Sequence, residues 1–255
     1  MRKLVISFFS PLEKVKVYFS TCYHGNMAIR NVEPEEDLKA INNRLSFFND
    51  VGVFADDVFV MKPVFSDKIK LISHRTQEFL KDNNDPIEAD ALVTYYRGIF
   101  LGCCFSDCLP VVIYEEKYQE IVALVHAGRK NLTKILPKTI EFLENEFNLS
   151  GKNLEVVFGP YIHKESYVFD KGIGESVVQE QLRIDPLWRK YIFQNKEKIH
   201  LDLGGCAEHI IHSYQIPSEN IFKIDIDTHK SRHLYSYHSK QDGKMFLGIA
   251  GIGRR

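Results

Sequence analysis

Apolar and polar positions along this chain follow two periods, and the changes between them mark its elements. Lys3–Phe9 and Val15–Ser20 read as strands. Pro34 opens a helix through about Asn49, with Leu38, Ile41, Leu45 and Phe48 at helical spacing on one face. Short strands are predicted at Val58–Met61 and Ile69–Ile72. Four more crowd the centre, at Ala91–Thr94, Ile99–Phe105, Val111–Tyr114 and Ile121–Val125. Leu132, Ile135, Leu136, Ile140, Leu143 and Phe147 mark a long amphipathic helix, and Leu154–Phe158 a strand that stops at Gly159–Pro160. Helices are expected near Glu175–Leu182, Pro186–Phe193 and Asp202–Tyr214, then strands at Ile221–Ile226 and Met245–Ile249. Strands in hairpin-like succession, with helices set apart, predict an α+β or mixed α/β sandwich over a doubly wound parallel sheet. There is no linker, repeat or low-complexity stretch, so residues 1–255 are expected to form one domain.

Composition narrows the function classes. The chain is 44% hydrophobic over 255 residues, ample for a sizeable core, and its formal net charge is −1. That balance carries no electrostatic footprint for nucleic acid, and the basic GRR terminus reads as a solvated tail. No 18-residue apolar run is present, so no membrane partner is expected. The apolar part of the N-terminal MRKLVISFF is shorter than a signal-peptide core and Glu13 follows soon after, which favours a first strand. Five cysteines, with Cys103 and Cys104 adjacent, make no disulfide framework and point to reduced thiols in a cytoplasmic protein.

Chemistry concentrates between Glu88 and Arg129, where two apolar runs end near Cys108 and His126. His74 follows the short apolar segment IKLIS. These three form a candidate set of the His/Cys type, and three protein ligands with one open position is the arrangement of a catalytic zinc. Their spacing matches no short local motif, so three unrelated strand-end residues remain the alternative. Other histidines carry weaker patterns: His209 and His212 share a helix face, and His229 and His233 stand four apart. Tyr95–Tyr96 offers a stacking surface or ordinary packing.

The segments ADALVT, FSDCLP and VALVHAGR together resemble the core signature of the laccase-domain, or YfiH-type, purine nucleoside phosphorylase family, which runs ADALVT, DC-x-P, HAGWRG. The resemblance covers most of the chain. FSTCYHGN is similar to the family's F-S-T-R-x-G-G turn, Asn43–Arg44 to its N-R, GPYI to GP-x-I, HLDL to LDL, and LYSYHSKQDGK to its terminal FFSYRR-x-x-x-G. Ser73-His74-Arg75 is set against its V-H-G. Departures are concentrated around the pocket: the Trp of HAGWRG is missing beside Arg129, Cys22 replaces an arginine, Arg75 a glycine, Glu165 and Ser166 two cysteines, and His238 and Ser239 a basic pair.

The resemblance implies a single α/β/β/α-type sandwich with mixed sheets, and zinc on His74, Cys108 and His126. It implies phosphorolysis of adenosine, inosine or methylthioadenosine to free base and ribose 1-phosphate, with deamination of adenosine, in a monomer or homodimer. For deamination, zinc would lower the pKa of its bound water to about 7, and Asp107 is the candidate proton carrier. For phosphorolysis an oxyanion site is required, and Arg129, Lys130, Arg44 beside Asn43, and Arg75 are its candidates, with His24 in the first turn as a further binding residue. A second reading is a copper-dependent polyphenol oxidase, since a His/Cys set also holds copper. None of the ten histidines forms the H-x-H pairs such clusters use. A third is a non-catalytic member that binds zinc or a purine, with Cys104, His24 or Arg75 as the positions that would close the metal site.

Overall fold

Two adjacent strands, Leu109–Glu115 and Ile121–Ala127, bury every one of their seven residues. Such strands must be covered on both faces, which is why they read as continuous apolar runs and not as an alternation. The structure, a computed structural model, describes residues 3–29, 33–73, 87–239 and 243–254. In chain order its strands are β1 (Ile6–Phe9), β2 (Val15–Phe19), β3 (Val58–Lys62), β4 (Ile69–Ile72), β5 (Ile87–Glu88), β6 (Ala91–Thr94), β7 (Phe100–Phe105), β8 (Leu109–Glu115) and β9 (Ile121–Ala127). These are followed by β10 (Glu155–Phe158), β11 (Val168–Asp170), β12 (Ile192–Gln194), β13 (Lys198–Leu201), β14 (Ile221–Lys223) and β15 (Phe246–Ile252). The α-helices among the described residues are α1 (Pro34–Val51), α2 (Leu132–Phe147), α3 (Lys171–Ile184) and α4 (Leu203–Ser213).

Two six-stranded mixed sheets form, in the orders β1-β2-β15-β7-β3-β5 and β14-β10-β8-β9-β6-β4. They pack face to face: Val112, Val122 and Leu124 of the second sheet meet Val17, Leu101 and Phe246 of the first in one buried cluster. Alternate residues of the same strands, Val111 and Val125 among them, face the other way and pack under Leu132, Ile135 and Ile140 of α2 and Ala207 and Ile210 of α4. Outside the first sheet, Tyr18, Phe100 and Leu247 pack against Phe47 and Phe48 of α1. The layers are thus α/β/β/α, as the resemblance implied. Every cysteine is free. No helix among the described residues is long and apolar enough to cross a membrane.

Two local expectations are corrected. The α1 face that packs is not Leu38, Ile41, Leu45 and Phe48: Leu38 and Leu45 are 60% and 46% exposed, and Ala40, Phe47 and Phe48 are buried. The packed stripe runs through residues 40, 44, 47 and 48, which turns Arg44 inward. Pro186–Phe193 is not a helix but one 3-10 turn, Pro186–Lys190, capped by Asp185 accepting from the Leu187 N–H (2.8 Å). The chain then extends as β12, because Ile192 and Phe193 pair with β13 in a small antiparallel sheet, β11-β13-β12, that the sequence pattern did not reveal.

The β8–β9 turn gathers acidic groups. Glu115 accepts from the N–H groups of Lys117, Tyr118 and Gln119, and Glu116 from the Leu12 N–H (2.9 Å) and Ser10 hydroxyl. Glu155, paired with Tyr114 across the β8–β10 ladder, has its pKa pushed up to about 7 by burial and then by Glu116 and Glu115. Between its ordinary range and about 7 the folded chain keeps a proton that the unfolded chain has released. The resulting stabilisation is complete below the ordinary carboxylate range and is lost as pH rises through about 7. Urea unfolding midpoints should therefore fall between pH 6 and 8 more steeply in the wild type than in Glu155→Gln. Equal slopes would dismiss the proton at Glu155.

Candidate functional site

A cavity of about 490 Å³ opens where the chain crosses from the first sheet to the second. β7 ends at Phe105 and β8 begins at Leu109, so Ser106, Asp107 and Cys108 bridge the layers at the cavity wall. Asp107 takes a left-handed backbone (φ 89°), a conformation Asp tolerates better than most residues. Its carboxylate is committed: Oδ1 accepts from the Thr228 hydroxyl (2.6 Å) and Oδ2 from the His238 N–H (2.7 Å), while its carbonyl accepts from Ile162 N–H (3.1 Å). Asp107 thus ties the C-terminal segment, which carries Tyr237 and His238, over the cavity.

His126, penultimate in β9, stands beside Cys108. Its Nδ1 donates to Asp90 Oδ1 (3.3 Å), which leaves the other ring nitrogen for Cys108. Asp90 is fully buried just before β6 and also accepts from the N–H groups of Phe65 (3.1 Å) and Ser66 (2.7 Å) and from the Ser66 hydroxyl (3.1 Å). Burial alone would raise the Asp90 carboxyl, yet His126 and the Ser66 donors hold it below its ordinary range. Burial alone would likewise strip the proton from His126, but Cys108 and Asp90 on either side hold it up to about 9. Gly128 follows where a side chain would crowd its neighbours. A Cβ there would stand 3.0 Å from both Cys108 Sγ and Phe65 Cε1. Gly128 N–H donates to Asn131 Oδ1 (2.9 Å), which leads the chain into α2.

Aromatic and basic groups complete the wall. Phe65 meets the His126 ring edge-on at 5.1 Å. The half-buried Tyr167 phenol is pushed up by burial and by Cys108, with Arg129 beside it opposing the shift. Arg129 donates to Glu180 Oε2 of α3 (2.6 Å). Arg44 reaches across from α1, donating through Nε to Met27 O (3.0 Å) and approaching Cys104 Sγ at 3.4 Å. Lys62, Lys130 and Lys244 also line the cavity. An apolar interior with several convergent cations suits a flat, partly apolar ligand that carries or meets an anion.

Of the residues singled out in the sequence, Cys108, His126, Asp107, Arg129, Lys130 and Arg44 are brought to this cavity. Asn43 is not at its wall. It donates to Asn26 O (2.9 Å) and braces Gly25, so it shapes the loop that carries Met27. His24 lies beneath α1 against Phe47, with Nδ1 accepting from Thr21 N–H and Nε2 3.4 Å from Asp50. His74 and Arg75 lie outside the described residues. Among the described residues no group of three His, Cys, Asp or Glu side chains could hold a metal ion. Among the described residues Cys108 and His126 are two suitable donors without a third, and that set does not fit a catalytic zinc or copper. Phe65 and Tyr167 carried no signal in the sequence that marked them for this site, whereas His238 stood out as a departure from the family's basic pair. The hint at Asp90 was its place as the sole charge in the apolar run ADALV.

Comparison with known proteins places the whole arrangement. The family model for multi-copper polyphenol oxidoreductase laccase matches residues 20–251. Among solved structures, protein YfiH of Bacillus licheniformis superposes with a TM-score of 0.78 at 20% identity, covering 93% of this chain and 92% of that one. YlmD of Geobacillus stearothermophilus superposes at 0.80 and 17% identity, covering 96% and 94%. Curated relatives carry the name purine nucleoside phosphorylase. One from Clostridium acetobutylicum is 28% identical over 93% of this chain and 92% of its own length. Another from Borreliella burgdorferi is 25% identical over 84% and 92%. The purine nucleoside phosphorylase YlmD of Staphylococcus aureus is 29% identical over 65% of this chain, and the match spans 60% of that protein's length. With a matching model across nearly its full length and the same layered fold, this chain belongs to the multi-copper polyphenol oxidoreductase laccase family.

Proposed function

We propose that the cavity binds a purine nucleoside and phosphate and cleaves the glycosidic bond by phosphorolysis. The observation that carries this is the combination of aromatic walls with convergent cations in one cavity, together with the name shared by the curated relatives. Phe65, Tyr167, Tyr237 and His238 offer faces and edges on which a purine can stack or pack. Arg44, Arg129, Lys62, Lys130 and Lys244 offer an anion its charge-assisted donors. A phosphate oxygen attacks the ribose C1′, the C1′–N9 bond breaks, and the purine departs with the bonding pair. The purine takes up the proton released by the phosphate, giving free base and ribose 1-phosphate. The protein's part is to hold phosphate against C1′ and to compensate its charge as the oxocarbenium-like sugar develops.

Deamination of adenosine requires an activated water at purine C6. In a zinc enzyme that water is metal-bound, and the described donors stop at Cys108 and His126, so no step is derived through a metal. Phenol oxidation through copper meets the same shortfall and lacks H-x-H pairs.

Adenosine, inosine and methylthioadenosine, each incubated with the purified chain with and without phosphate, provide the test. Free base that forms only with phosphate is expected from at least one of them. Inosine from adenosine would instead favour deamination, and no product from any nucleoside would sink the proposal. Arg44→Ala should raise the KM for phosphate roughly tenfold or more while changing the nucleoside KM little, given the usual strength of a charged hydrogen bond. An unchanged phosphate KM would remove Arg44 from the anion site.

A further inference from the structure

We propose that Phe65 fills the third ligand position beside Cys108 and His126, so that this chain works without a resident zinc. The inference concerns the same cavity as the proposed function but does not depend on which nucleoside enters it.

A catalytic zinc needs three protein donors converging within about 2.0–2.3 Å of one point. Two are arranged as such a centre would have them. His126 is oriented by a carboxylate on Nδ1, the outer-shell contact that a metal-bound histidine ordinarily makes. Cys108 stands beside it. The third side is closed by carbon. Phe65 sits in a left-handed turn (φ 55°), held by Asp90 Oδ1 accepting its N–H, and this aims its ring edge-on at His126 (5.1 Å). Its Cε1 and Cys108 Sγ both lie 3.0 Å from the point where a Gly128 Cβ would be. Phe65 therefore borders both donors at once and presents no lone pair to a cation.

His74 was the sequence's candidate for the third ligand, and the strand leading to it is directed elsewhere. In the β4–β6–β9 ladder Ile69 is level with Ala91 and Val125, next to His126, whereas Ile72 is level with Thr94 and Val122. β4 thus runs away from His126, and its last residue is level with a position four residues back along β9, about 13 Å at strand spacing. Two strand-to-strand steps add to that separation.

Zinc content measured by mass spectrometry on the intact chain decides the matter, after incubation with equimolar zinc and gel filtration. Histidine is among the residues that tolerate a left-handed backbone, so Phe65→His is a fair addition of the missing ligand. The variant should hold about one zinc per chain and the wild type at least ~10-fold less, since the full ligand set and its orientation govern metal affinity. Cobalt loaded into Phe65→His should show a thiolate-to-metal absorption band that disappears in the Cys108→Ala double variant. One zinc per wild-type chain, lost in Cys108→Ala, His126→Ala or His74→Ala, would overturn the proposal. A wild type and a folded Phe65→His that both lack zinc would overturn the assignment of Phe65 to the ligand position. Should Phe65→His fail to fold, the wild-type zinc content alone decides. These are metal readouts, so they stand or fall separately from the nucleoside assays.

Discussion

The fully buried carboxylate of Asp90 is the contact on which the cavity depends. It accepts from three consecutive backbone N–H groups at Val64, Phe65 and Ser66, from the Ser66 hydroxyl and from the His126 ring. A buried charge is stable only when its oxygens are saturated in this way. Saturation makes it a three-way joint: the turn after β3, the start of β6 and the end of β9 are fixed to one another through a single side chain. His126 takes its orientation from this joint, and Phe65 takes both its backbone conformation and its position over the imidazole.

A second joint, at Asp107, does the same for the opposite wall. Its two oxygens hold Thr228 and the His238 N–H, so the segment that carries Tyr237 and His238 is fastened to the crossing between the sheets. Between these two acids the cavity is left to apolar and aromatic groups and to cations arriving from other elements: Arg44 from α1 and Arg129 from the approach to α2. Rigid sheets supply the floor, while loops and helix flanks supply the chemistry. A carboxylate with both oxygens in such a joint serves structure first.

Much of the fold was legible along the chain. β4 and β6 match their predicted bounds, and α2 matches its predicted stripe, because strands and helices buried on one or both faces repeat apolar residues at their own period. Legibility failed where partners decide. Ile192 and Phe193 extend because β13 is there to pair with them, and α1 turns Arg44 inward because residues 40, 47 and 48 are its packed stripe. At the site, Cys108, His126, Arg129 and Arg44 were legible as residue types at the ends of recognisable motifs. Phe65 was not, since a phenylalanine after Pro63-Val64 carries no local mark of the company it keeps.

The sequence by itself determined the apolar runs, the α+β character, the lack of a disulfide framework, and a family signature that includes a cysteine and a histidine near strand ends. Tertiary structure alone decided which side chains meet. Convergence at Cys108 and His126 is set by strand order and register, by the crossing between two sheets and by a buried carboxylate that links segments distant in the chain. Spacing along the sequence says nothing of these, because a β-sheet places neighbours by hydrogen-bonded register and not by chain distance. For that reason His74, plausible by type, follows a strand directed away from His126, and Phe65, unremarkable by type, borders both the thiol and the imidazole.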